Sequence, residues 1–208
     1  MEGEPQLFRV PKKLTLTYVI IAMNVAVYVL TSVWGGDFLV TGDPPLEFLG
    51  QVNYYVIYHG WYWQLFTSMF VHADIVHLFG NMFFLLIFGL RAEEMFDAKE
   101  YLLIYFASGL AGSLLTLLMG PNMVSVGASG AIFGVFGAVT IYIRRAVGQS
   151  IIGALLFAFL LLVLNMGYGV NVLAHLGGLV AGLAIGYLLA TTRHKTTASY
   201  TYRISYTT

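Results

Sequence analysis

Residues 171–191 read NVLAHLGGLVAGLAIGYLLAT, without one Asp, Glu, Lys or Arg. About 20 mainly apolar residues make a helix long enough to cross a hydrocarbon core about 30 Å thick, so the stretch predicts a membrane span. Two features are unusual for a span. Gly178, Gly182 and Gly186 recur every four residues and share one helix face. A face of such small residues lets another helix approach closely. One turn ahead of it stands His175, and an imidazole inside a membrane is costly enough to need a reason.

The rest of the chain fits the same solvent. Of its 208 residues, 59% are hydrophobic and 10% charged, against about 25% charged in a soluble domain. Five further apolar segments are long enough to count, at about 14–33, 75–96, 101–119, 129–143 and 151–166. They are continuous rather than alternating, which predicts helices and not a barrel. The expectation is an all-α, polytopic, six-helix transmembrane bundle in one domain over 1–192, with a polar tail at 193–208. The first run is long enough to span and is not followed by a convincing small-residue cleavage site, so no cleaved signal peptide is expected. Zero formal charge gives no reason to expect nucleic acid, and the absence of cysteine excludes disulfides.

Orientation follows from the basic residues. Arg9, Lys12 and Lys13 precede the first segment, and Arg91 and Lys99 flank the second turn. Arg144 and Arg145 flank the fourth, and Arg193, Lys195 and Arg203 follow the last. All ten fall on one side of a six-span arrangement, which predicts cytoplasmic termini, with the cell membrane as the expected location. Residues 34–73 lack Lys and Arg but carry Tyr54, Tyr55, Trp61, Tyr62 and Trp63. Such rings favour the membrane–water interface. The stretch reads as a loop half-sunk in the outer leaflet, its helices broken by Pro44 and Pro45. An ordinary aromatic belt fits it as well.

Four polar residues inside the segments stand out: His77, Asn81, Ser129 and His175. From Ser129 to Arg144 is about 22 Å of helix, from His175 to Arg193 about 27 Å and from His77 to Arg91 about 21 Å. They therefore share a depth, inside the membrane and below its outer surface. The segment that starts at Ser129 begins within the bilayer, so residues 120–128 must dip to meet it. Gly130, Gly134 and Ala138 give that segment a small face like the one beyond His175. Packing the two faces brings Ser129 towards His175, the arrangement in which an imidazole takes a serine proton during attack on a carbonyl. No Asp or Glu occurs from Tyr101 onwards, so the pair is expected to act as a dyad. Phe133, one turn from Ser129, is placed to stack on the imidazole. His77 and Asn81 share a face, and with the Ser129 N–H they are candidate oxyanion donors. Hydrolysis needs water, so a polar cavity is expected, bordered by His72, His77, Asn81 and residues 120–128. Taken singly, Ser129 reads equally as a packing residue, and His175, His77 and Asn81 as interhelical hydrogen bonders.

The conjunction resembles the rhomboid family of intramembrane serine proteases. Gly127-Ala128-Ser129-Gly130 is similar to its GxSG motif, and Ala174-His175-Leu176-Gly177-Gly178 with Gly182 to its AHxxGxxxG. His77 to Asn81 is similar to its HxxxN, and Glu93, four after Gly89, fits a family glutamate. The resemblance covers about 61–186. It implies a six-helix bundle that cleaves transmembrane helices near their outer ends. It also implies a mobile fifth helix or cap loop, here about 167–170. Two positions depart: the family's Trp-Arg is Trp63-Gln64, and a usual glycine is Asp97. The partners implied are transmembrane protein substrates and the lipid bilayer, with no cofactor and no metal. Rival readings are a client-binding relative that does not cut and a transporter or channel. The lack of carboxylates in the last four segments speaks against the second. No HExxH motif or membrane-embedded Asp pair supports another protease class.

Overall fold

The computed structural model describes residues 15–146, 152–153, 156 and 170–192. Its long helices are α1 (Leu16–Gly35), α5 (Ile75–Glu93), α6 (Ala98–Thr116), α7 (Ser129–Ala146) and α8 (Val172–Thr192). Three short helices, α2 (Asp43–Leu49), α3 (Asn53–His59) and α4 (Gln64–Thr67), fill the stretch between α1 and α5. The chain is a helical membrane protein. Among the described residues, four helices are long and apolar enough to cross a bilayer: α1, α5, α6 with its 3-10 extension to Met119, and α8. The expected fourth span, α7, is a helix of 18 residues that ends on Arg144 and Arg145 and is not among the four. The expected fifth span, 151–166, lies outside the described residues except at three positions, and the cap at 167–170 does so except at Val170. The N-terminal basic residues and the 193–208 tail lie outside them too.

The centre is a close triplet of α6, α7 and α8. A Cβ added at Gly178 would stand 1.9 Å from the Gly130 carbonyl oxygen, and one at Gly182 1.9 Å from that of Gly134. One at Gly112 of α6 would stand 2.5 Å from the Ala174 oxygen. Backbones meet here with no room for a side chain, as small-residue faces allow. Tyr101, Ile104, Tyr105, Leu85 and Val135 fill the core beside this seam.

At the opposite end of the bundle from Ser129, α1 is tied to α5. The Glu93 Oε1 accepts from the Thr17 backbone N (2.5 Å) and from the Thr17 hydroxyl (2.6 Å). The Thr17 hydroxyl also lies 3.2 Å from the Tyr101 hydroxyl. Thr17 N belongs to the first turn of α1, where backbone donors lack helical acceptors, and a carboxylate satisfies them well. The neighbouring departure, Asp97, has a local use. It N-caps α6, accepting from Lys99 N and Glu100 N, while Glu100 reaches back to Asp97 N. Its φ of −73° asks for no glycine.

The stretch between α1 and α5 is more ordered than its composition suggests. Pro44 and Pro45 begin α2 instead of breaking a helix. In the first turn a missing N–H costs nothing, and a fixed φ helps. Strand β1 (Gln51–Val52) pairs antiparallel with β2 (Val124–Ser125), joining this stretch to the segment that leads into α7. Buried amides complete the junction. Gln51 Nε2 donates to the Ser113 carbonyl at 2.9 Å. Asn53 Nδ2 donates to the carbonyls of Thr116 (2.9 Å) and Gly120 (2.8 Å). Gln64, where the family carries arginine, is fully buried. It accepts from Val52 N at 2.9 Å and donates to the Glu47 carbonyl at 2.7 Å. A neutral amide thus ties α4 to α2 and β1. Outside this core, Tyr55, Trp61 and Trp63 stack at 4.5 and 5.0 Å.

Candidate active site

Ser129 is the first residue of α7. Gly127, two residues earlier, holds φ at +119°. Its N–H donates to the Ser68 carbonyl at 2.9 Å. A Cβ on Gly127 would sit 2.7 Å from His77 Nε2 and 3.9 Å from Ser129 Oγ. Only glycine suits this backbone and this space, and the turn brings the His77 ring up beside the serine.

His175 lies one turn into α8, buried, with Nε2 2.8 Å from Ser129 Oγ. With the ring hydrogen on Nδ1, Nε2 accepts the serine hydrogen bond. Nδ1 has no hydrogen-bond partner among the described residues. The Phe133 ring lies on the imidazole, centroids 4.5 Å apart and planes inclined by 21°. Stacking fixes the ring's plane without adding charge.

His77 and Asn81 project from the first turns of α5. Asp74 caps this helix, accepting from His77 N at 2.7 Å. Asn81 Nδ2 donates to the His77 carbonyl at 2.9 Å. That bond uses one amide hydrogen and leaves the second for a ligand. A cavity of about 930 Å³ joins His77, Asn81, Ser129 and His175, with Phe84, Phe88 and Phe136 among its apolar walls. Residues 124–127 line it, whereas 120–123 do not.

His72 does not line the cavity. It lies fully buried behind His77, ring against ring at 5.1 Å. Burial, with His77 alongside, pushes its pKa down to about 3, so the ring is neutral. The sequence places it at the border of the cavity. The turn into α5 instead places it one layer back.

Two contributors escaped the sequence reading. The Ser68 carbonyl anchors Gly127, but no spacing marks a backbone acceptor. Asn171 both caps α8 and lines the cavity. Its signal was available: a lone amide opening an otherwise apolar run, three residues before an N–H it caps.

Comparison with known proteins places these residues in a wider set. The model of the Rhomboid domain matches residues 59–192. RHOMBOID-like protein 6, mitochondrial, of Arabidopsis thaliana is 37% identical over 159 residues, covering 73% of this chain and 52% of that protein. Rhomboid protease GluP of Bacillus subtilis (strain 168) is 33% identical over 183 residues, covering 82% of this chain and 34% of that protein. Rhomboid-like protease 3 of Toxoplasma gondii is 37% identical over 134 residues, 59% of this chain and 50% of that protein. The chain therefore spans about a third to a half of the length of these relatives.

Proposed function

This chain belongs to the rhomboid family, and from that premise we propose that it is a serine endopeptidase that cuts peptide bonds in or near transmembrane segments of other membrane proteins. The observation that carries the reading is the 2.8 Å contact between Ser129 Oγ and His175 Nε2, made at a cavity inside a helical membrane protein. As Ser129 Oγ attacks the scissile carbonyl carbon, its proton passes to His175 Nε2. The carbonyl becomes an oxyanion, which the Ser129 N–H at the start of α7, His77 and Asn81 stabilise. The imidazolium then gives its proton to the leaving amine, and an acyl ester remains on Ser129. Water, deprotonated by the same imidazole, hydrolyses the ester and restores the serine. Phe133 keeps the ring in plane through these transfers. A client-binding relative that does not cut is the alternative, and retention of both dyad members weighs against it.

The test is incubation of detergent-solubilised protein with a transmembrane substrate, followed by sizing of the products. Cleavage that persists in Ser129→Ala would refute the assignment. The oxyanion donors should give a graded result. Loss of one such donor typically costs about 10²–10³ in kcat, and two or three share the charge here. His77→Ala and Asn81→Ala are therefore expected to slow turnover yet leave labelling of Ser129 by a fluorophosphonate measurable. If His77→Ala were silent while His175→Ala still reacted, the two histidines would exchange roles.

The same reading puts both termini in the cytoplasm of a cell-membrane protein, with residues 1–192 as one domain and 193–208 as a polar tail. The native chain has no cysteine, so single cysteines introduced at Gly36 and Gly148 report cleanly. They should be labelled from opposite sides by a membrane-impermeant maleimide. Labelling from the same side would rule out the six-span arrangement.

A further inference from the structure

We propose that Asn171 is the positioning residue that sets the distance between Ser129 and His175, an inference resting on their assignment as nucleophile and base. Asn171 immediately precedes α8, and every hydrogen-bonding direction of its amide but one is used. Its Oδ1 accepts from Ala174 N at 3.0 Å. Its Nδ2 donates twice, to Thr116 Oγ1 at 2.7 Å and to Ser125 Oγ at 2.7 Å. The Thr116 hydroxyl spends its own hydrogen on the Gly112 carbonyl at 2.9 Å, so towards Asn171 it is an acceptor. The Asn171 backbone oxygen in turn accepts from His175 N at 3.3 Å.

These bonds join three parts that the dyad depends on. Thr116 closes α6. Ser125 lies in β2, four residues before Ser129. Asn171 opens the helix that carries His175. The glycine seams hold α8 close to α6 and α7 chiefly through backbone, with few side chains, such as Leu179 against Gly137 and Ile141 against Gly186, crossing them. Such a seam fixes how near the helices lie more firmly than how far one slides along the other. Ser129 meanwhile stands at the very start of its helix, so the segment before it decides where its oxygen lies. A fork of two donors between that segment and α8 removes the remaining freedom. Such a constraint matters because a reactive pair must be held within about 0.5 Å of its working geometry, and a misplacement of about 1 Å can cost about 10²-fold in rate.

The test separates capping from positioning. Asn171→Ser keeps a side-chain oxygen for Ala174 N but is too short to reach Thr116 and Ser125. Its thermal unfolding midpoint should stay near that of the wild type. Its rate of fluorophosphonate labelling at Ser129, and its kcat on a transmembrane substrate, should fall about 10- to 100-fold, with KM changed less than about twofold. Ser125→Ala should lower both rates about 3- to 10-fold, and Ser125→Ala combined with Asn171→Ser should be no slower than Asn171→Ser alone, because the bond is already lost. Wild-type labelling rates in Asn171→Ser, or losses that multiply in the double variant, would overturn the proposal. If Asn171→Ser did not fold, Ser125→Ala and Thr116→Val would decide, and wild-type rates in both would overturn it. A wild-type protein that is not labelled at Ser129 at all would instead refute the dyad assignment itself.

Discussion

Ser129→Ala is expected to reduce cleavage by a factor on the order of 10⁴ or more, and His175→Ala to do the same. The size follows from the contact between them. A serine hydroxyl at neutral pH is a poor nucleophile, and in the proposed mechanism the imidazole at 2.8 Å makes it a good one by taking its proton. Without the hydroxyl no acyl ester forms, and without the imidazole the proton has nowhere to go. The other titratable groups at the cavity are placed differently: Asp74 caps α5 by accepting from His77 N, and the His77 ring lies beside Gly127. Because the two groups act as one unit, the double variant should be no worse than either single one. Product sizing on a transmembrane substrate gives the rates, and mass spectrometry of the fluorophosphonate adduct locates the nucleophile. Ser129→Ala should keep the wild-type unfolding midpoint, because it removes one oxygen, whereas His175→Ala should fold with a somewhat lower midpoint, because it removes a buried ring stacked on Phe133. An adduct on a residue other than Ser129 would sink the assignment.

Gly182→Val should be nearly as damaging, through packing instead of chemistry. A Cβ there would lie 1.9 Å from the Gly134 oxygen and 2.5 Å from its carbonyl carbon and Cα. These obstacles are backbone, which cannot rotate aside, so α7 and α8 must move apart. The expected loss of stability is about 3 kcal/mol or more, at the upper end for overpacking. Activity should vanish as well, because Ser129 and His175 ride on the two separated helices. A helical glycine away from the seam gives the contrast: a Cβ at Gly80 meets no atom within 4 Å among the described residues. Gly80→Ala should hold or slightly raise the unfolding midpoint, since alanine is the better helix former. Thermal unfolding in detergent distinguishes the two. An unchanged midpoint for Gly182→Val would mean that the seam is looser than described.

The parts of this architecture that are legible in the sequence are those written in local periodicity. Small residues every four positions mark the faces of α7 and α8 that meet in the structure. Parts that rest on distant partners were not legible. The β1–β2 pairing joins residues 51 and 125 over two residues per strand, too short for an alternating pattern to register. The buried amides of Gln51, Asn53 and Gln64 look like any loop polar residues until their partners on α6, α2 and β1 are known. Pro44 and Pro45 misled because proline stops a helix in its interior yet starts one in its first turn. The number of spans is read from apolar length and from the one-sided placement of the basic residues. Among the described residues four helices meet the length and apolarity of a span, α7 with its glycines and terminal arginines falls short, and most of 151–166 lies outside them.

The tie between Thr17 and Glu93 also bears on how the protein is made. The two residues lie 76 positions apart. At about 5–20 residues per second, a ribosome needs about 4–15 s to travel that distance. Throughout that interval the first turn of α1 lacks the carboxylate that will accept from Thr17 N, and α1 has no complete α5 to lie against. The nascent first helix must therefore be retained in the bilayer by its own apolar surface. Its docking waits on the arrival of one acid at the far end of the second long helix.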